Sequence, residues 1–338
     1  MRKISLGALV ALAMIASGGG AAAQSINAAG ATFPDPIYER WFQEFKQAHS
    51  SIQINYQPIG SGGGIRQLTE GTVDFGASDM PMKDPDIEKM KIKPLHFPTV
   101  LGGVVMIYNL PGVTQDLKFS PDVIADIYLE KITDWSDPRI AKDNPGVKLK
   151  KQDIVVVHRS DGSGTTFVFA DYLSKVSPEW KSKVGADSSI KWPTGSGQAK
   201  NDGVAGMVKQ TPGAIGYVEL IYALQTKMAY GFVKNSAGVF LKADLNSVTA
   251  AAAGAAKAMP DDFRVSITNA PGKDAYPIST FTWLLIPSKI PDPAKRKAIT
   301  DFLKWMMTAG QKDAAALGYA PLPNQVVAKE QKQIAKVQ

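Results

Sequence analysis

Residues 153–166, DIVVVHRSDGSGTT, combine the chemical groups that proteins use to hold small anions. The β-branched run 154–157 is typical of a buried strand, and a glycine-rich turn after it opens a segment with helical spacing. A helix start offers N–H groups without intrahelical partners and the positive end of the helix dipole. Arg159 adds a planar fork of donors that suits a tetrahedral oxyanion. Further hydroxyl donors come from Ser163, Thr165 and Thr166. The segment therefore predicts a site for a phosphate-like anion.

The same residues also have a simpler interpretation. Glycine-rich turns occur wherever an α/β chain reverses between a strand and a helix, and Arg159 can be a surface residue paired with Asp161. This segment leaves both interpretations open, so other parts of the chain have to decide between them.

Two more segments place small or hydroxyl residues before helical patterns. Thr32-Phe33 lies just before an amphipathic pattern that predicts a helix over residues 36–49. Residues 60–64, GSGGG, place Ser61 in a glycine loop that leads into a helix expected to begin near Ile65. Together with the first segment, these loops predict three helix starts that can contribute to one anion site.

Asp79 ends a strand pattern at residues 72–78 and is the acidic member of this set. A carboxylate that faces an anion repels it unless the ligand carries a proton that the carboxylate can accept. Phosphate near neutral pH carries such a proton and sulfate does not, so an ionised Asp79 would favour phosphate and reject sulfate. The alternative is a cap or turn residue before Pro81.

Strand and helix patterns alternate along the chain, which predicts an α/β architecture with mostly parallel sheets. Two long apolar segments, 97–110 and 280–287, are typical of strands that cross between two domains. Ligands of such sheets bind beyond the carboxyl ends of the strands, where the loops described above fall. A patterned helix is expected over residues 293–309, and the lysine-bearing end of the chain is expected to be a solvated helical tail.

The N-terminus has the organisation of a secretory signal peptide. Arg2 and Lys3 precede an apolar run at 4–15, and small residues end at Ala23, where cleavage is expected. The apolar run is too short to predict a membrane span. The sequence has no cysteine, so we expect neither disulfides nor a lipid anchor on cysteine, and we expect a periplasmic protein. Removal of residues 1–23 takes away two basic residues and no acidic one, so the net charge falls from +7 to +5.

Composition and motifs argue against two other classes of function. Basic residues are not clustered with aromatic residues, so a nucleic-acid partner is not expected. His49, His96 and His158 lack metal-ligand spacing, and the sequence has neither a serine nucleophile elbow nor a P-loop. An enzyme that acts on phosphate esters would need a nucleophile with a base or a metal cluster, so no enzyme activity and no cofactor are expected. His158, near the proposed site, is expected to point into the core.

Six segments together resemble the family of periplasmic phosphate-binding proteins of high-affinity phosphate ABC transporters. In chain order they are AAGATFPDPIY, GSGGGIRQLTEGTVDFGASDMP, FPTVLGGVV, RSDGSGTTFVFADYL, GSGQAKNDGV and PGAIGYVE. The similarity covers nearly all of the mature chain and keeps the order and spacing of the family.

This resemblance implies a type II periplasmic binding protein fold, in which crossing strands join two α/β lobes and the ligand lies in the cleft between them. The expected lobes are residues 24–100 with 273–338 and residues 101–272. The resemblance further implies a protein that captures inorganic phosphate without chemistry. It would dock as a monomer on membrane-embedded permease subunits.

Matched by motif, the resemblance also implies a set of phosphate ligands. They are Thr32, Phe33, Ser61, Asp79, Arg159, Asp161, Ser163, Gly164 and Thr165. Phe33 and Gly164 would act through their backbone N–H groups. Asp79 would accept the phosphate proton, and Asp161 would hold Arg159 in place.

Two positions depart from the pattern of the family. Gly62 stands where some relatives have a second serine, and Thr166 is an extra hydroxyl expected to cap the helix. A binding protein for sulfate or molybdate is the nearest alternative, and Asp79 argues against it. An adhesion or structural protein that reuses the fold is a further alternative. The sequence does not distinguish arsenate from phosphate, because the two share shape and protonation.

Overall fold

The computed structural model describes residues 24–338, and the expected signal peptide, residues 1–23, lies outside them. The strands are β1 Gln24–Gly30, β2 Ile52–Pro58, β3 Phe75–Ser78, β4 Pro94–Tyr108, β5 Lys118–Phe119, β6 Val155–Arg159, β7 Ser196–Gln198, β8 Ala214–Glu219, β9 Phe232–Lys234, β10 Phe240–Leu241 and β11 Ser279–Pro287. The α-helices are α1 Asp35–Ala48, α2 Ser61–Glu70, α3 Asp84–Glu88, α4 Pro121–Tyr128, α5 Pro138–Asp143, α6 Gly164–Val176, α7 Pro178–Lys183, α8 Lys200–Gln210, α9 Leu220–Thr226, α10 Leu245–Lys257, α11 Pro293–Trp305, α12 Gln311–Ala314 and α13 Asn324–Ile334. No helix within residues 24–338 is both long and apolar enough to cross a membrane.

One mixed sheet of eight strands runs through the molecule in the order β2-β1-β3-β11-β4-β8-β6-β7. Strands β1, β2 and β3 pair in parallel at one end, and β6, β7 and β8 pair in parallel at the other. In the middle, β11 runs antiparallel to β3 and β4, and β4 runs antiparallel to β8. The prediction of mostly parallel sheets therefore holds at both ends and fails at the centre, where the chain passes between the ends.

Strand β4 joins the two ends of the sheet. Its first part, Pro94 to Gly103, pairs with β11, and its second part, Val104 to Tyr108, pairs with β8. All but one of its residues are buried, as expected for a strand covered on both faces. The long apolar segment predicted to cross between domains is thus one continuous strand. We call the part of the molecule around β1, β2, β3 and β11 lobe I and the part around β6, β7 and β8 lobe II.

Helix α10 and the residues after it pack on lobe I. Val248, Ala252, Phe263 and Ile267 share an apolar cluster with Trp283 of β11. The division expected from the sequence placed this segment in the second lobe and its boundary at residue 273, because the return crossing was assigned to the apolar strand that follows. We propose that the second connection between the lobes lies at residues 242–245, between β10 and α10.

Two local predictions from the sequence are wrong. Helix α2 begins at Ser61 and not near Ile65, so the glycines of GSGGG form its first turn instead of a loop. A Cβ on Gly64 would lie 2.5 Å from the Cα of Gly30 and 2.6 Å from the carbonyl oxygen of Ala29, so the absent side chain lets α2 approach β1. The C-terminal helix α13 is not a solvated tail, because Val326, Glu330, Gln333 and Ile334 are buried.

We expect Gly64→Ala to destabilise the folded protein by about 1–3 kcal/mol, because an added methyl group overpacks the contact between α2 and β1. Urea unfolding would measure this as a lower midpoint. Gly254→Ala is the matched control, since Gly254 lies inside α10 with nothing within 4 Å of an added Cβ. That variant should gain about 0.5–1 kcal/mol from helix propensity. A Gly64→Ala variant as stable as the unsubstituted protein would contradict the close packing described here.

Candidate functional site

The nine residues expected from the resemblance lie in four segments, at the junction between the lobes. Lobe I contributes Thr32-Phe33 between β1 and α1, Ser61 at the start of α2, and Asp79 just after β3. Lobe II contributes Arg159 at the end of β6 and residues 161–165, which lead into α6. All of these residues except Asp161 are buried. The four segments therefore meet in the interior, although they are far apart in the chain.

The two lobes are in direct contact at this place. The N–H of Gly62 in lobe I donates to the carbonyl oxygen of Gly162 in lobe II at 2.8 Å. A Cβ on Gly164 would collide with Ser61 Oγ and would lie 2.5 Å from Asp79 Oδ2. The start of α6 thus lies against Ser61 and Asp79, and the two lobes touch at the site.

The carboxyl group of Asp79 is buried, with 1% of the residue exposed. Thr282 Oγ1 donates to its Oδ1 at 2.7 Å, and the Asp79 N–H donates to Ser61 Oγ at 3.2 Å. Burial raises the pKa of Asp79 to about 7, against the opposing effects of the Thr282 bond, the charge of Arg159 and the Ser61 bond. A pKa of about 7 lies close to neutral pH, and the role of Asp79 as acceptor of the phosphate proton stays a prediction.

Arg159 and Asp161 form a two-point ion pair in which the guanidinium is buried. Nε donates to Oδ1 at 2.7 Å and Nη2 donates to Oδ2 at 2.5 Å, and Asp161 also accepts the N–H of Lys200 at 3.1 Å. Burial by itself would raise the pKa of Asp161, but the hydrogen bonds and charge of Arg159 outweigh it and hold that pKa below its usual range. Nη1, which the pair does not use, lies 3.4 Å from Thr165 Oγ1. The pair thus fixes the guanidinium and leaves one nitrogen for a ligand.

Helix α6 presents its N-terminus to the junction. Ser163 caps the helix, since its Oγ accepts the N–H of Thr166 at 3.0 Å. The N–H groups of Gly164 and Thr165 belong to the first turn and have no intrahelical acceptor. Thr166 does not cap the helix as expected, because its Oγ1 lies 2.6 Å from the hydroxyl of Tyr217. Two free N–H groups and the helix dipole therefore form an anion-binding end.

Asn201, in the first turn of α8, links loops of both lobes and was missed by the sequence analysis. Its Nδ2 donates to Thr32 Oγ1 at 3.0 Å and lies 3.4 Å from Thr165 Oγ1, and its Oδ1 accepts the N–H of Glu219 at 3.1 Å. The residue lies within GSGQAKNDGV, one of the segments that carry the resemblance. The available signal was an amide side chain at a helix start beside a glycine-rich stretch.

Thr282 was also missed, although it donates to Asp79. It lies on β11 with Thr280, two residues away on the same face of an otherwise apolar strand. Both threonines are buried. Hydroxyl residues at alternate positions of the apolar run TFTWLLIP were the signal that could have identified it.

His158 lies beside the site, and the expectation that it points into the core is wrong. Its ring is half-buried and stacks on Trp192, with the centroids 4.6 Å apart and the planes inclined by 13°. Its Nδ1 lies 3.0 Å from the carbonyl oxygen of Arg159. Burial lowers the pKa of His158, against the opposing effect of its contacts with the backbone at Arg159 and Gly195.

The chain matches the family model of the PBP superfamily domain over residues 16–309. It is 46% identical over 303 residues to the phosphate-binding protein PstS of Xylella fastidiosa strain Temecula1, and the match covers 89% of this chain and 82% of that protein. It is 45% identical over 312 residues to the phosphate-binding protein PstS of Pasteurella multocida strain Pm70, covering 92% of this chain and 90% of that protein.

Solved structures share the fold at low sequence identity. The phosphate binding protein of Stenotrophomonas maltophilia has a TM-score of 0.71 at 16% identity, covering 92% of this chain and 94% of the other. An ABC-type phosphate transport receptor of Vibrio cholerae has a TM-score of 0.56 at 17% identity, covering 88% and 100%. The chain therefore has the fold of the PBP superfamily and belongs to the family of the phosphate-binding proteins named PstS.

Proposed function

We propose that this protein binds inorganic phosphate in the periplasm and delivers it to the permease of an ABC transporter. Its relatives of similar length are phosphate-binding proteins, and the Vibrio cholerae protein of the same fold is an ABC-type phosphate transport receptor. The proposed ligands are the nine residues that meet between the lobes. The protein performs no chemistry on phosphate in this proposal, because its task is capture and release.

The observation that carries the proposal is the meeting of helix N-termini at one buried place. Ser61 begins α2, Gly164 begins α6, and the two residues are in contact. Asn201 joins Thr32, in the loop before α1, to Thr165 in the first turn of α6. Helix starts bind anions through their N–H groups and dipoles, so this arrangement suits a tetrahedral oxyanion.

The site stabilises the negative charge of a bound phosphate mainly through hydrogen bonds and less through positively charged side chains. The charge of Arg159 is paired with Asp161, and Asp79 adds negative charge when it is ionised. A dehydrated phosphate is then stabilised by many N–H and O–H donors aimed at its oxygens. Such a site selects a tetrahedral oxyanion by its shape, and it favours phosphate over sulfate because only phosphate carries a proton near neutral pH.

Transport requires that phosphate enter an open form and that the lobes close around it. We propose that the described structure is this closed form and that it docks as a monomer on the permease subunits. The backbone contact between Gly62 and Gly162 supports a closed state with definite geometry, since neither residue has a side chain to hold the lobes apart.

Isothermal titration of the mature protein, stripped of bound ligand, tests the proposal. Near pH 8 we expect one-to-one binding of phosphate and of arsenate, which shares its shape and protonation, and much weaker binding of sulfate. A phosphate ester incubated with the protein should not be hydrolysed. Preference for sulfate, or no heat with any oxyanion, would contradict the assignment.

Sulfate binding should depend on pH through Asp79. Sulfate brings no proton, so it is accommodated only when Asp79 is itself protonated. Because the pKa of Asp79 is about 7, sulfate affinity should fall about tenfold for each pH unit above about 7 and level off below about pH 6. Phosphate as HPO4²⁻ brings its own proton, so its affinity should change much less.

Asp79→Asn is the control for this pH dependence, because an amide offers an N–H donor at every pH. The variant should bind sulfate more tightly than the unsubstituted protein at pH 8 and with little change between pH 6 and pH 9. The measurement is a titration series across this range. An equal loss of sulfate affinity with pH in both proteins would assign the effect to another group.

Arg159→Lys should weaken phosphate binding about 10- to 100-fold, because a lysine cannot make the two-point pair with Asp161 and still offer a donor to the ligand. Arg139→Lys is the matched control. Arg139 makes a similar pair with Asp137, through Nε and Nη2, but it lies on the surface of lobe II. Titration of both variants with phosphate should show a loss only for Arg159→Lys, and equal affinities would exclude Arg159 as a ligand.

A further inference from the structure

Three tyrosine hydroxyls hold three successive carbonyl groups of the loop formed by residues 31–33. The bonds run from Tyr56 to Ala31 at 2.7 Å, from Tyr222 to Thr32 at 2.5 Å and from Tyr319 to Phe33 at 2.6 Å. Tyr222 and Tyr319 are buried, and Tyr56 is partly buried. The backbone of the 31–33 loop is therefore fixed by side chains that need not touch a ligand themselves.

These bonds set the direction of backbone donors. A trans peptide unit points its C=O and its N–H in opposite directions, and no cis peptide bond occurs within residues 24–338. When Tyr222 holds the carbonyl of Thr32, it also fixes the N–H of Phe33, a proposed phosphate donor, on the opposite side. The carbonyl of Phe33 precedes Pro34, which has no N–H, so the bond from Tyr319 orients no donor.

The three tyrosines differ in the lobe from which they come. Tyr56 lies on β2 of lobe I. Tyr319 directly precedes Ala320, which pairs with Leu101 in the part of β4 that lies beside β11, so Tyr319 also belongs to lobe I. The 31–33 loop belongs to the same lobe. Tyr222 lies on α9, directly after β8 in lobe II. Its bond to the carbonyl of Thr32 therefore crosses between the lobes and exists only while they are together. Asn201 makes the second bond from lobe II to the same residue, at Thr32 Oγ1.

We propose that Tyr222, with Asn201, is a positioning residue that couples closure of the lobes to the orientation of the Phe33 N–H. In the open form the hydroxyl of Tyr222 is hydrated, and the carbonyl of Thr32 keeps only its 3.3 Å bond from the N–H of Asp35 within lobe I, so this peptide unit is less restrained. Closure adds the shorter buried bond from Tyr222 at 2.5 Å and fixes the Phe33 N–H toward the ligand. The inference rests on the proposed function of the site and adds a residue that controls release without contacting phosphate.

The distance between the lobes can be measured with spin labels attached to introduced cysteines. The sequence has no cysteine of its own, so only the introduced thiols are labelled. Lys83 in lobe I and Asp187 in lobe II pair at 2.6 Å across the junction, and their side chains are 44% and 46% exposed. Such an exposed pair contributes little to stability. Lys83→Cys and Asp187→Cys, spin-labelled together, report open and closed populations by pulsed electron paramagnetic resonance.

In Tyr222→Phe we expect phosphate to dissociate about three- to tenfold faster, because a buried hydrogen bond of the closed form is lost. The association rate should change little, since phosphate meets the open form. The spin labels should show more of the long distance at a given phosphate concentration. Tyr319→Phe is the matched control, because it removes the same kind of bond within lobe I, and its dissociation rate and label distances should stay near those of the unsubstituted protein.

Unchanged dissociation in Tyr222→Phe, or the same acceleration in Tyr319→Phe, would overturn the inference. If Tyr222→Phe does not fold, Asn201→Ser takes its place, because it removes the second bond from lobe II to Thr32. Phosphate should then dissociate faster in the same way. An unchanged dissociation rate in Asn201→Ser would also overturn the inference. An unsubstituted protein that binds no phosphate contradicts the proposed function instead. The ligand-free label distances then still decide the role of Tyr222, since loss of its hydroxyl should lengthen them.

Discussion

The two lobes meet through their backbones, and the rest of the site depends on that close approach. Gly62 faces Gly162 so closely that a Cβ on either one would lie 3.0 Å from the Cα of the other, and Gly164 lies against Ser61 and Asp79. A methyl group on Gly164 would collide with Ser61 and Asp79, whereas one on Gly62 or Gly162 would require the facing glycine to shift by a few tenths of an ångström. Because the approach is this close, donors from four segments surround one point, and hydrogen bonds there are stronger than in water.

The same approach explains the charges of the site. Burial between the lobes raises the pKa of Asp79, and the two-point pair keeps Arg159 from adding an unbalanced charge. A site of this kind selects its ligand by where donors and acceptors lie, which is a matter of geometry and protonation. Selectivity and closure therefore have one origin, since both require the loops of lobe I and lobe II to be in register.

Much of this arrangement could be predicted from the sequence, because it is encoded locally. The buried strand before Arg159, the helix starts after Phe33 and Ser163, and the long apolar strand β4 follow from periodicity and from small residues. The nine residues proposed as phosphate ligands were expected from the family resemblance, and they lie together in the structure.

The predictions failed where contacts between distant segments decide. Helix α2 begins at Ser61 because Gly64 packs on β1, which no local pattern reveals. Asn201 and Tyr222 act on Thr32 from across the junction, and an asparagine or a tyrosine considered alone has no such role. Tyr222 lies among apolar residues of the short helix α9, and this local pattern predicts an ordinary buried aromatic side chain.

The path of strand β4 also has a consequence for the order in which the chain folds. Lobe II is built largely from one continuous stretch, whereas lobe I begins with β1 and is completed only by β11 and the helices after it. Strand β3 ends at Ser78 and pairs early with β1, but its second partner, β11, begins only at Ser279. Pairing across so long a loop is slow, so lobe I is the last part of a growing chain to fold. For the periplasmic protein proposed here, this order keeps lobe I incomplete until late in synthesis, because β11, the strand that completes it, lies near the end of the chain.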